Sequence, residues 1–189
     1  MTEIRTFDPS GRAVSYVDEG EGPVSLVLIA ERSVEADPQV VVAHYLAEEA
    51  GFRVVRIGPR VGGADAAPEQ RAADAAELLD ELGLQTTWIG GFGTGGTAAR
   101  RFALDHADRV NGLLLLGVED VDIALPPVIP VLIVQGSADE TTPAVNGTRL
   151  HEQAPERVSV KDIEGGDHMF VLNHPIDVAT IVEEYLDWD

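Results

Sequence analysis

Short runs rich in Val, Ile and Leu recur along this chain, and a helix-length segment separates each run from the next. Residues 24–30 (VSLVLIA) are apolar almost without interruption, as a strand covered on both faces must be. Residues 52–57, 86–90, 110–117, 128–135 and 158–163 read as further strands. Between them lie segments with helical signals. One helix starts at Pro38, buries Val41, Leu46 and Ala50 and ends at Gly51. An Ala-rich helix over 68–82 is closed by Gly83. Helices over 94–106 and 143–153 follow, then a last one over 177–187 with Ile181 and Leu186 on its inner side. Strands that alternate with helices of this length predict an α/β fold, with a mostly parallel sheet and helices on both faces. Residues 2–7 and 13–18 alternate in polarity around Asp8-Pro9-Ser10-Gly11, which predicts an N-terminal β-hairpin.

The 189 residues suffice for one sizeable core, so a single domain over 1–189 is expected. There is no cysteine, which excludes disulfides, thiolate metal sites and a cysteine nucleophile. Basic residues number 13 against 33 acidic ones, a net charge of −20 that repels nucleic acid and anionic membranes. The first residues, MTEIRTFDPSGR, are acidic and polar where a signal peptide is basic and then apolar, so a cytoplasmic protein is expected.

The densest local signal is WIGGFGTGG, from Trp88 to Gly96, between a strand and a helix. Glycines there permit a tight turn and close approach of the helix to the sheet. Gly91, Gly93 and Gly96 satisfy the G-x-G-x-x-G dinucleotide fingerprint, with Glu119 after the next strand as a ribose acid. That fingerprint belongs in the first βαβ unit, whereas half of this chain precedes it. The same segment also fits a nucleophile elbow, G-x-S-x-G, with Gly91 and Gly95 as the flanking glycines and Gly93 in the serine position.

The later chain carries matching pieces. Residues 131–139 (VLIVQGSAD) are a strand followed by a loop with Asp139, Thr142-Pro143 begins the next helix, and Gly165-Gly166-Asp167-His168 is a loop after the last strand. In order and placement these motifs resemble the α/β-hydrolase family, from the hairpin to the last helix. The resemblance implies Asp139 as the acid and His168 as the base, with Gly93 as a vacant nucleophile position. It implies an oxyanion region at Glu31 and Thr94, and a pocket near Arg32 and Phe92, the latter where the family often has histidine. Two departures accompany it. The loop after the first long strand reads Glu31-Arg32-Ser33 in place of a His-Gly pair, and residues 118–127 are too few for a cap domain.

A serine acyl-enzyme needs an oxygen nucleophile beside the base, and Gly93 has no side chain. Ser33 and Ser137 lie on neighbouring loops, either as relocated nucleophiles or as turn serines. Alternatively, His168 supported by Asp139 acts as general base on water or on a substrate proton. This implies hydrolysis of a small neutral ester, thioester or lactone, or an elimination or isomerisation. The competing expectation is a catalytically inactive module that binds a small molecule or a protein, including a second copy of itself. No cofactor is expected. Asp167 and His168 alone do not define a metal site, and His44, His106, His151 and His174 lack ligand spacing.

Overall fold

A computed structural model describes residues 2–8, 11–61 and 66–187. Pro9 and Ser10 of the expected hairpin turn, and Gly62 and Gly63 of the following loop, lie outside these residues. The strands are β1 (Arg5–Phe7), β2 (Val14–Glu19), β3 (Ser25–Ile29), β4 (Arg53–Arg60), β5 (Thr87–Phe92), β6 (Val110–Leu116), β7 (Val131–Gly136) and β8 (Val158–Ile163). They form one sheet in the order β1-β2-β4-β3-β5-β6-β7-β8. The β1-β2 hairpin is antiparallel and β2 joins β4 antiparallel, while every pair from β4 to β8 is parallel.

The two faces follow directly from strand alternation. Val27, Ile29, Leu113, Leu115, Val131 and Ile133 face one core, and Leu26, Leu28, Leu114, Leu116, Leu132 and Val134 face the other. The first core is covered by α2 (Pro68–Glu81), α3 (Thr94–Asp105) and α4 (Ala144–Gln153). The second is covered by α1 (Val40–Glu48), α5 (Phe170–Asn173) and α6 (Pro175–Leu186). Both α2 and α6 carry proline in the first turn, where its missing N–H costs no helical bond. No described helix is long and apolar enough to cross a membrane.

Three local expectations need correction. Pro38 lies before α1, whose first residue is Val40, because the Asp37 carboxylate accepts the Gln39 N–H and makes a turn there. The inner stripe is accordingly Val42, Ala43, Leu46 and Ala47, while Val41 is exposed. The strand expected from 128 begins at Val131, since Pro130 has no N–H to donate; Val128, at φ 75°, points into solvent. The short helix α5, directly after His168, was absent from the sequence reading. Residues 118–130 hold no helix or strand, so no cap is inserted after β6.

Candidate active site

The glycine turn stands at the carboxyl end of β5, a central strand, where α3 begins. Gly93 adopts φ 56° and ψ −119°, the strained strand-to-helix corner that a nucleophile elbow requires. Gly95 has a different reason to be glycine. A Cβ there would lie 1.9 Å from the Ile29 carbonyl oxygen, so α3 packs on β3 only without one. Both glycines therefore serve the turn, and neither needs a nucleotide.

Asp139 leaves the end of β7 and His168 the loop after β8, and the structure brings them together. Nδ1 of His168 lies 3.1 Å from Oδ2 of Asp139, whose side chain is fully buried. Burial by itself would raise the Asp139 pKa. Hydrogen bonds from the Thr142 hydroxyl and amide, from His168 and from the Thr141 amide outweigh it and hold the carboxyl below its ordinary value. With a carboxylate beside it, Nδ1 carries the proton, and Nε2 of the neutral ring is left as the basic atom.

Thr142 was missed as a site residue. Its hydroxyl donates to Asp139 Oδ2 at 2.6 Å and lies 3.3 Å from His168 Nδ1. The available signal was a threonine three residues after an acid at the start of a helix, a spacing that lets both side chains meet. Phe92 is buried, and its ring packs against the His168 imidazole with centroids 4.8 Å apart. It packs beneath the imidazole rather than lining an open wall.

The space above Gly93 is not empty. A Cβ built on Gly93 would come within 2.6 Å of Oε1 of Glu31. The half-buried Glu31 side chain thus turns inward over the elbow, whereas Arg32 is exposed. A buried scaffold fixes the loop that carries Glu31. Arg71 donates to the Ala30 carbonyl, Gln39 to Ile29 and Arg56 to Val34, while Asp37 pairs with Arg56 at 3.2 Å. Burial lowers the Arg71 pKa to about 10, with Asp74 and Asp37 opposing that shift, so it remains a cation at neutral pH. Glu31, Arg32, Ser33 and the exposed Thr94 border one cleft of about 780 Å³.

The alternative oxygens are otherwise engaged. Ser33 Oγ accepts the Ala36 N–H within its own turn, and Ser137 Oγ accepts the Gly165 N–H, tying the acid loop to the histidine loop. Glu119 accepts a hydrogen bond from Thr97 on α3. With Glu31 above the turn, a carboxylate stands where a pyrophosphate would approach the start of α3. Among the described residues no group of three or more His, Asp or Glu side chains is arranged to hold a metal ion.

No protein-family model matches this chain, and no curated protein matches it. Solved structures do. The chain is similar to a predicted CIB-like hydrolase from Thermoplasma acidophilum, with TM-score 0.78, 17% identity and 98% of each chain covered. A thermophilic esterase from Thermogutta terrifontis has TM-score 0.78 and 18% identity, over 99% of this chain and 98% of that one. An epoxide hydrolase from Vigna radiata has TM-score 0.80 and 12% identity, over 98% of each chain. At these identities the likeness establishes a fold, that of the α/β-hydrolases.

Proposed function

We propose that the protein is a cytoplasmic, single-domain hydrolase of small neutral esters, thioesters or lactones, with His168 as general base and no nucleophilic side chain at the elbow. The observation that carries this reading is the Asp139–His168 hydrogen bond, kept with its Thr142 support although the elbow residue is glycine. The four donors hold the buried Asp139 as a carboxylate, the form that orients an imidazole for general-base work. Fold neighbours that include an esterase and an epoxide hydrolase support hydrolysis as the reaction class.

In the proposed step, Nε2 takes a proton from water as the water oxygen attacks the substrate carbonyl carbon. Asp139 stabilises the imidazolium that results. Backbone N–H groups at Thr94 and in the Glu31 loop receive the developing oxyanion. The tetrahedral centre then expels the leaving group, which recovers the proton from Nε2. The same base serves an elimination or isomerisation if the proton comes from carbon.

One observation favours a second reading, a catalytically inactive binding module. The Glu31 carboxylate lies over Gly93, close to where the oxyanion would form, and like charges repel. Initial rates on short acyl esters, thioesters and lactones, with His168→Ala run in parallel, decide between the two. The proposed function predicts turnover that falls about 10²- to 10⁴-fold in the variant. Equal rates for both proteins on every compound would overturn the hydrolytic reading and leave the binding module or a non-hydrolytic reaction.

A further inference from the structure

At the end of the sheet away from Gly93, the second core is left partly uncovered. There α6 rests on Trp88, near the start of β5, and an apolar groove of about 520 Å³ remains between α6 and the edge strand β8. Its floor is Leu132 and the Trp88 indole. The indole lies against β6 because Gly112 has no side chain, and a Cβ there would come within 2.0 Å of the ring. Tyr185 meets the indole edge-on at 5.8 Å, and Ile181 continues the α6 wall. Trp88, Tyr185 and Ile181 all stay half-buried. Two charges stand at the rim, Lys161 on β8 and Glu184 on α6, and Lys161 is the only lysine of the chain. Both side chains are exposed, and neither forms an ion pair or hydrogen bond among the described residues.

A strained residue stands beside the groove. Val128 lies two residues before Pro130, which lines it. Val128 holds φ 75°, a conformation that β-branched residues rarely adopt, with 88% of its surface exposed. It therefore does not fill its own groove, and in a lone copy both strain and exposure oppose a valine here.

We infer that a second copy of this chain seats on the groove, forming a homodimer about a two-fold axis that runs along it. That operation lays the β8 wall of one copy on the α6 wall of the other, so each Lys161 meets the opposite Glu184. Each Val128 enters the opposite groove beside Pro130. Three observations select this occupant. Tryptophan and tyrosine at the centre with charges at the rim are the arrangement of a protein interface. The unpaired opposite charges on the two walls make the surface complementary to itself. Val128 supplies an apolar knob on the same molecule as the groove. The exposed Lys161 and Asp162 on β8 oppose strand addition at the sheet edge, so the contact is made by the face. The inference is independent of the hydrolytic reading, whose residues lie at the other end of the strands.

Sedimentation equilibrium tests it on the parent, Val128→Gly, Lys161→Glu and Lys161→Glu/Glu184→Lys. Sodium chloride at about 0.3 M screens the repulsion between two copies of charge −20. The parent should form a reversible dimer with a dissociation constant below about 100 µM. Val128→Gly should associate about tenfold or more weakly. Its melting temperature, read where the chain is monomeric, should hold or rise, because glycine accepts the positive φ without strain. A valine that served only the fold would give a lower melting temperature instead. Lys161→Glu should weaken association about tenfold, and Lys161→Glu/Glu184→Lys should restore it, as a pair formed between copies requires. A parent that stays monomeric at about 500 µM, with or without an apolar dye in its groove, would overturn the inference. So would an oligomer larger than a dimer, unchanged association in Val128→Gly, or a charge reversal that the second substitution does not rescue.

Discussion

Asp139→Asn should lower the hydrolytic rate about ten-thousand-fold while the protein still folds, the loss known for the same change in a Ser-His-Asp triad. The physical cause is the tautomer. Oδ1 of Asp139 accepts the Thr141 and Thr142 amide protons, and an amide oxygen continues to do so. Oδ2 faces the Thr142 hydroxyl and His168 Nδ1, and there the introduced NH₂ donates. Nδ1 then becomes the acceptor, the proton moves to Nε2, and the ring loses its base on the substrate side. Stability should change by only about 1 kcal/mol, since the hydroxyl of Thr142 can turn to accept. The pH dependence gives an independent check. The folded pKa of Asp139 lies below its ordinary value, so its stabilising contribution is present above the ordinary carboxylate range and is lost as pH falls through the depressed value. The melting difference between parent and variant should therefore shrink in acid. A variant that keeps its rate would mean that Asp139 only ties the loops together.

Asp37→Ala should destabilise the protein by about 3–5 kcal/mol, the usual result of removing one partner of a buried ion pair. Asp37 and Arg56 are both almost wholly buried, and Asp37 also accepts the Gln39 backbone and side-chain N–H groups. Without the carboxylate, the guanidinium retains only the Val34 carbonyl, and its Nε already lacks a partner among the described residues. For a chain of this length the melting temperature should drop by about 6–20 °C. A shift of only a degree or two would show that the pair is relieved by solvent.

The fold was legible because its signals are local and redundant. VSLVLIA reads as a doubly covered strand whatever surrounds it, and α2 announces itself by Pro68 and its alanines. The elbow, acid loop and histidine loop were legible because each lies at a strand end with a short motif, and the strand order then brings Asp139 and His168 into contact. What failed depended on rotation or on distant partners. A two-residue shift in the start of α1 exchanged Val41 for Val42 on the inner face. The inward turn of Glu31 was not legible, because its direction depends on the missing Cβ of Gly93 and on a scaffold drawn from β4, α2 and the turn before α1. Arg56 in the run RVVRIGPR was the overlooked clue, since a charge among buried Val and Ile requires a buried partner.

The central claim is that a working Asp139–His168 base faces an elbow whose side-chain space is filled by Glu31. Labelling by a fluorophosphonate, followed by mass spectrometry, tests it most directly on Gly93→Ser, on Gly93→Ser/Glu31→Ala, and on that pair with His168→Ala added. Covalent labelling of the introduced serine is expected in Gly93→Ser/Glu31→Ala. Labelling should be slow while Glu31 still crowds the hydroxyl, and absent once His168 is removed. No labelling of a folded Gly93→Ser/Glu31→Ala protein, or labelling that persists without His168, would contradict it.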